Sequence, residues 1–353
     1  MLLSAALSGT CHRGLRQHLL RSDHQEDLCF AVWRPSTGSH RKTALVSELV
    51  LPQPGERHVH GTASFETAYF LRAAEVARAT GGGLAFLHSH PGGSSWQDMS
   101  APDRDTESRH ASRTRAITGL PLVGLTMAGD GSLSARFWER IGRSTYHRRD
   151  CESVRVAGEQ IATCWHPQLR PKPEITDQQI RTVSAWGDNI QADLARLRIG
   201  VVGAGSVGAM VAEALARSGV QDITLIDFDT IEFKNLDRLI HATELDARLW
   251  RSKVETLTRA LKMVATAADF RIHPVEFSVV EEGGFSKALD CDVLFSCVDR
   301  PWPRAALNYI AFAHLIPVVD AGIRIVTTKS GKLRLNRPGF LGDAFHWELS
   351  SAM

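Results

Sequence analysis

The chain has 353 residues, enough for two domains of ordinary size, each with its own core. Its net charge of +2 comes from 41 basic and 39 acidic side chains interspersed along the sequence, so there is no basic stripe to suggest nucleic acid or an anionic membrane as partner. The six cysteines (Cys11, Cys29, Cys151, Cys164, Cys291, Cys297) form no C-x-x-C pair, which argues against a disulfide framework and a thiolate zinc site and suits a reducing, cytoplasmic setting.

In chain order, the opening MLLSAALSG is apolar but has no basic region before it and is too short for a signal peptide, and no later run approaches transmembrane length. Residues 64–79 read as an amphipathic helix with Ser64 as N-cap and the glycines at 81–83 as its stop. A buried strand at 84–88, a helix from Ser100 and a hairpin at 121–127 and 132–138 complete a mixed α/β domain over residues 1–145. Residues 146–175, with prolines at 167, 171 and 173, read as a linker. From 176 to 353, apolar strands at 197–202, 222–227, 271–276, 292–297 and 315–319 alternate with helical patterns at 206–218, 252–263, 281–289 and 302–314. That alternation predicts a Rossmann-like, doubly wound parallel sheet.

Residues 1–150 hold 10 of the 15 histidines. His88 and His90 leave a strand on the same side, so both imidazoles can face one ion, and Asp103 adds a carboxylate. Spacing alone leaves alternatives open: solvent-facing histidines, a rival pair at His58 and His60, or a Ser100–Asp103 helix capping box that needs no metal. Glu66 and Glu107 read as helix-surface carboxylates.

The run H-S-H-P at 88–91 with S-x-x-D at 100–103 resembles the JAMM/MPN (JAB) family of zinc metallo-isopeptidases, which cleave bonds to ubiquitin-like proteins. The resemblance implies that His88, His90 and Asp103 hold Zn2+, that Ser100 steadies the oxyanion, and that Glu26 is the general base, with Glu48 as runner-up. The loop is slightly longer than the family pattern, and Asp98 stands where the family has its serine.

In the second domain, Gly203, Gly205 and Gly208 form a G-x-G-x-x-G turn between strand and helix, and Asp227 ends the next strand, an arrangement that suits NAD as well as ATP. Asp229, Asn235, Arg238 and Lys253 then supply an amide, a carboxylate and two cations where a polyphosphate needs neutralising. Asp299, after an apolar strand, is placed to hold Mg2+. Cys297 reads as a core thiol.

This ordered set, over residues 176–327, resembles the ThiF-type adenylyltransferases, which include the ubiquitin-activating enzymes and the activators of sulfur carriers. The resemblance implies ATP and Mg2+ as cofactors. It makes Asp227 the ribose contact, Asp229 and Asn235 nucleotide-site residues, Arg238 and Lys253 phosphate contacts, and Asp299 the metal carboxylate; Arg304 and Asn308 match further polar positions. It also implies a protein partner ending in Gly-Gly and a possible homodimer. Of the family's R-x-x-R, Arg181 matches the first arginine and Ser184 replaces the second. No cysteine follows Cys297, so the family's C-x-x-C pairs and acceptor thiol are missing and the second domain reads as incomplete at its C-terminus.

Together the motifs predict a bifunctional enzyme, a zinc (iso)peptidase joined to an ATP-dependent activator of a ubiquitin-like or sulfur-carrier protein. The competing readings are a nicotinamide or flavin oxidoreductase and a non-catalytic nucleotide-binding scaffold.

Overall fold

Residues 28–33 alternate between two apolar sets, Leu28, Phe30 and Val32 against Cys29, Ala31 and Trp33, and all six are buried. A strand apolar on both sides needs cover on both sides. In the computed structural model, which describes residues 1–143 and 145–321 together with short strands at 326–327 and 333–334, that cover is helical. The chain divides into two compact units, residues 1–174 with 310–316, and 175–309 with the residues from 317 onward.

In the first unit, β1 (Leu2–Ser8) leads into α1 (Gly9–Leu19), whose first turn is capped by the Ser8 hydroxyl accepting from the Cys11 amide at 3.1 Å. There follow β2 (Leu28–Thr37), β3 (Arg41–Val50), the hairpin of β4 (Arg57–His60) and β5 (Thr62–Phe65), α2 (Thr67–Ala79), β6 (Gly83–His90) and α3 (Ala101–Thr118). Then come β7 (Leu122–Ala128), β8 (Leu133–Arg140), β9 (Tyr146–Asp150), β10 (Ser153–Ala157) and β11 (Ile161–Trp165). Nine strands form one mixed sheet in the order β11-β10-β1-β3-β2-β6-β7-β8-β9. On one face the core gathers Leu7, Leu15, Trp33 and Leu87 with α1; on the other, Phe30, Phe70, Ala74 and Phe86 with α2. There Phe30 meets Tyr69 edge-on at 4.8 Å and Phe65 at 5.1 Å, pairs that add about 0.5–1.5 kcal/mol each beyond area burial.

The N-terminal apolar run, to which the sequence reading assigns no element, is an interior strand, parallel to both β3 and β10. Two expectations need correcting. The stretch 146–175 is not a linker throughout, because β9, β10 and β11 extend the sheet and regular structure stops only at the prolines after Trp165. The helix expected from Ser64 begins at Thr67, since Thr62–Phe65 is claimed by the hairpin with β4.

The second unit begins with α4 (Ile180–Trp186) and α5 (Asp188–Arg196) and continues through β12 (Arg198–Val202), α6 (Ser206–Arg217), β13 (Asp222–Ile226), α7 (Glu244–Arg248) and α8 (Lys253–Val264). It closes with β14 (Arg271–Val275), α9 (Glu282–Ala288), β15 (Val293–Ser296), α10 (Pro301–His314) and β16 (Val318–Asp320). All five strands are parallel, in the order β14-β13-β12-β15-β16. This is the Rossmann-like arrangement expected. The connection from β12 runs to one side and that into β15 to the other, so a crevice opens at the carboxyl ends of these two strands. Among the described residues no helix is long and apolar enough to cross a membrane. The residues 337–353, and with them the expected incompleteness of the domain, lie outside the described residues.

Candidate functional site

At the crevice of the second unit, β12 ends in the glycine turn. Gly203 has φ +95, a backbone region closed to most side chains, and its amide donates to the Ile226 carbonyl at 2.9 Å. A Cβ on Gly208 would collide with the Gly203 carbonyl, so the first turn of α6 can pack against the loop only with glycine there. Gly205 is different: a Cβ there would meet nothing within 4 Å. It is the N-cap of α6, and no side chain caps that end, which leaves helix amides and the positive end of the dipole for an anion.

These elements line one cleft of about 320 Å³, bounded by the ends of β12, β13, β14 and β15. Gly203, Gly205, Asp227, Asp229, Asn235, Arg238, Lys253 and Asp299 all border it. Asp227 accepts the amides of Ala204 at 2.7 Å and Asp229 at 2.8 Å. Burial raises its pKa above the ordinary carboxylate value, an effect the two amides and Lys253 partly offset. Lys253, at the start of α8, donates from Nζ to Asp229 Oδ2 at 2.6 Å, and its backbone amide donates to the Asp229 carbonyl at 3.1 Å. The buried Asn235 accepts the Glu232 amide through Oδ1 at 3.0 Å. Arg238 is half exposed and donates to the Lys234 carbonyl at 2.9 Å, while Asp299 is exposed at the mouth between β15 and α10.

Gly208 acts from behind the loop and does not border the cleft. Neither do Arg304, which donates to the Val298 carbonyl and to Asp320, nor the exposed Asn308. Cys297, expected in the core, is only partly buried and borders the cleft, its thiol pushed up to about 11 by burial. Sequence reasoning missed the apolar wall of Leu239, Val279, Val298 and Pro303. Only the positions of Val298 and Val279 shortly after strand ends hint at it.

The first unit gathers a second cluster. β6 points His88 and His90 to one side and Ser89 to the other, where the Ser89 hydroxyl accepts the Asp27 amide at 3.0 Å. α3 brings Asp103 over the histidines, its Oδ2 lying 3.5 Å from His88 Nε2 and 3.3 Å from His90 Nε2. One ligand atom from each of the three lies within 4.8 Å of the others, and among the described residues no other such group occurs. Burial raises the Asp103 pKa, but hydrogen bonds from both imidazoles and from Ser100 outweigh it and hold the carboxyl far below its usual range. The hydrogen bond to Asp103 raises His90 in turn. Two imidazoles and a carboxylate converging at this spacing fit a tetrahedral zinc site.

Glu26 belongs to this cluster. Leu28 pairs with His88 in the antiparallel β2–β6 ladder, so the register carried two residues on sets Glu26 opposite His90, whose pKa its charge helps to raise. Glu48 pairs with Val32, four residues up the ladder or about 13 Å away, too far for the same role. Ser100 is the N-cap of α3, and its hydroxyl donates to Asp103 Oδ2 at 2.6 Å and accepts the Asp103 amide at 3.3 Å. The capping box and the ligand triad therefore share Asp103. Asp98 is 88% exposed and faces Arg148. His58 and His60 lie exposed on the β4–β5 hairpin, His58 bonded to the exposed Glu66 at 2.9 Å.

Glu107 contradicts its surface assignment. It is buried and accepts from Arg136 Nε at 3.0 Å, Arg136 Nη2 and Trp138 Nε1 at 2.6 Å. Glu107, Ala111 and Thr114 make the one buried stripe of an otherwise polar helix.

The ThiF family matches residues 176–338. Over 202 residues the chain is 28% identical to ubiquitin-like modifier-activating enzyme 5 of Drosophila mojavensis, covering 53% of this chain and 48% of that protein. Over 152 residues it is 29% identical to the enzyme of the same name from Xenopus laevis, covering 40% and 37%. The chain spans about half the length, or less, of these relatives. Among solved structures it is similar to E. coli MccB with ATP, at 22% identity and TM-score 0.38, covering 42% of this chain and 46% of that one. It is also similar to E. coli tRNA N6-threonylcarbamoyladenosine dehydratase TcdA in complex with ATP, at 29% identity and TM-score 0.39, covering 44% and 65%.

Proposed function

We propose that the second unit adenylates the C-terminal carboxylate of a ubiquitin-like or sulfur-carrier protein ending in Gly-Gly, and that the first is a JAMM/MPN-type zinc (iso)peptidase acting on the same class of protein. The observation that carries the reading is the meeting in one cleft of a glycine turn, an uncapped helix N-terminus, Asp227, Arg238, Lys253 and Asp299, within the segment that the ThiF family matches. A carboxylate oxygen attacks the α-phosphorus of ATP, the bond to the β,γ-phosphates breaks, and pyrophosphate leaves with the electron pair. Helix amides and Arg238 hold the phosphates, Lys253 exchanges Asp229 for the charge developing at the α-phosphate, and Asp227 accepts the ribose hydroxyls. Asp299 would hold Mg2+, which when bound neutralises phosphate charge. Positioning and charge neutralisation account for most of such a step.

In the first unit His88, His90 and Asp103 would hold Zn2+, which when bound supplies a Lewis acid for amide hydrolysis. Glu26, opposite His90, takes the proton of the attacking water and returns it to the leaving amine. Ser100 holds Asp103 in place through the capping box, a role beside the oxyanion contact implied by resemblance.

ATP–pyrophosphate exchange stimulated by a small protein ending in Gly-Gly tests the adenylation. Exchange should fall about 10²- to 10³-fold in Lys253→Ala and in Asp299→Ala. No exchange with any such carrier, or binding of a nicotinamide dinucleotide in preference to ATP, would overturn it. The zinc reading expects about one equivalent of metal, lost in the His88→Ala, His90→Ala double variant; metal retained there but lost on changing His58 and His60 would refute it.

A further inference from the structure

The segment 233–242, between β13 and α7, supplies Asn235, Arg238 and Leu239 to the nucleotide cleft. Among the described residues its hydrogen bonds stay within 232–242, with one exception. His241 Nε2 meets Glu213 Oε2 at 2.7 Å on α6. Two features set this bond apart from an ordinary surface ion pair, which contributes little. His241 has φ +68, a left-handed conformation that costs a non-glycine residue energy and persists where its surroundings impose it. Both side chains are also partly covered, 29% and 21% exposed, and the bond from His241 does more than Arg217 to hold the Glu213 carboxyl below its ordinary pKa. The helix on which the bond lands matters equally. The first amides of α6 are the proposed phosphate contacts, and Glu213 stands seven residues past Ser206, about 10 Å along the same rigid helix. A tie from Glu213 to His241 therefore fixes the backbone that carries Arg238, three residues earlier, relative to those amides. Otherwise the segment packs through Leu239 in a small apolar cluster with Ile231 and Ala247.

We propose that His241, held by Glu213, is the positioning residue that sets Arg238 against the α6 amides to receive the polyphosphate of ATP. The inference rests on the nucleotide reading above. It gives His241 a role that depends on the phosphates and not on the adenosine part of the ligand, because Arg238 is the cleft residue it places.

Calorimetric titration of the full chain with ATP and with adenosine, alongside thermal unfolding without nucleotide, tests the proposal. Asparagine adopts the left-handed conformation readily but is too short to reach Glu213. His241→Asn should therefore weaken ATP about tenfold, the order of one lost hydrogen bond to a charged group, and leave adenosine within about twofold of the parent. Its unfolding temperature should stay within about 4 °C. Glu213→Ala should behave in the same way, whereas Glu213→Gln, which keeps an oxygen for the ring N–H, should bind ATP within about threefold of the parent. In an Arg238→Ala background, adding His241→Asn should weaken ATP by no more than about a further twofold, since the two act as one unit. Parent-like ATP affinity in His241→Asn, equal weakening of ATP and adenosine, or full additivity with Arg238→Ala would overturn the proposal while leaving the nucleotide reading intact. A parent chain that binds no ATP defeats both.

Discussion

Gly205 and Gly208 sit in the same turn, yet the structure assigns them opposite reasons for lacking a side chain, and alanine at each separates the two. At Gly205 the backbone (φ −77, ψ −162) is open to any residue and a Cβ would meet nothing within 4 Å. Shrinking the unfolded ensemble favours alanine there by about 0.4–1 kcal/mol. The preference for glycine over alanine at an N-cap opposes it by a similar amount, of order 0.5–1 kcal/mol. Stability should therefore move by less than about 1 kcal/mol. The new methyl group stands where the cleft must let phosphate reach the α6 amides. Losing one hydrogen bond to a charged group costs about 1.5–3 kcal/mol, so ATP affinity should fall roughly 10- to 150-fold. Gly208→Ala instead drives Cβ into the Gly203 carbonyl, and overpacking of this kind costs about 1–3 kcal/mol in stability as well as binding. Thermal unfolding with and without ATP, alongside calorimetric titration, reads both quantities. Parent-like ATP affinity in Gly205→Ala would refute the assignment of this turn as the phosphate cradle.

Three further outcomes follow from the same geometry. Glu107→Gln strands the Arg136 charge in the core and should cost about 3–5 kcal/mol, which lowers the unfolding temperature by roughly 6–20 °C in calorimetry; a shift under 2 °C would show that the pair is not desolvated. Because burial raises the folded pKa of Asp227, ATP affinity should decline as pH falls toward that value, which lies above the ordinary carboxylate pKa, and Asp227→Asn should remove this acid-side decline in a titration series. With its pKa near 11, about one Cys297 thiol in a thousand is ionised at pH 8, so iodoacetamide should modify it roughly a hundredfold more slowly than free cysteine, and ATP should slow it further; peptide mass mapping that finds rapid labelling indifferent to ATP contradicts its place in the cleft wall.

The sequence was most legible where period and chemistry agreed. In the second unit each apolar run is a parallel strand, and Gly203, Asp227 and Asp299 follow strand ends because loops after those ends are where a doubly wound sheet leaves room. Asn235 and Arg238 come from the long connection between β13 and α8, and Lys253 from the start of α8. His88 and His90 were legible because a strand has period two. The misreadings have physical causes. Tyr146–Asp150 is an edge strand carrying His147, Arg148 and Arg149, a composition that hides strand character in a charged surface, as edges commonly do. Glu107 follows helical spacing with Ala111 and Thr114, but a carboxylate in that stripe reads as surface until Arg136, 29 residues on, is seen to pair with it. The wall at Leu239 and Val279 carries no motif at all, since an apolar surface against a base needs shape, not a particular residue type.

The two proposed activities oppose each other on a single substrate, and that opposition constrains their specificity. Hydrolysis of an isopeptide bond releases a carrier with a free carboxylate and runs downhill; adenylation consumes the same carboxylate and is driven by the cleavage of ATP. If both sites accepted every form of the carrier, the pair would only dissipate ATP. They escape this if the zinc site requires an amide-linked amine beyond the carrier's last glycine and the nucleotide site requires that nothing follow it. The chemistry at each site already points this way. As a peptidase site, Glu26 and the His88, His90 and Asp103 set would act on a neutral amide carbonyl, which an amide-linked carrier has and a free carboxylate lacks. The cations Arg238 and Lys253 favour the approach of an ionised carboxylate to a polyphosphate, and an extended or conjugated carrier has no such group at that position. Under the proposed reading, discrimination between the two forms would follow from the charge at the carrier terminus, and the first site's product would be the form the second accepts.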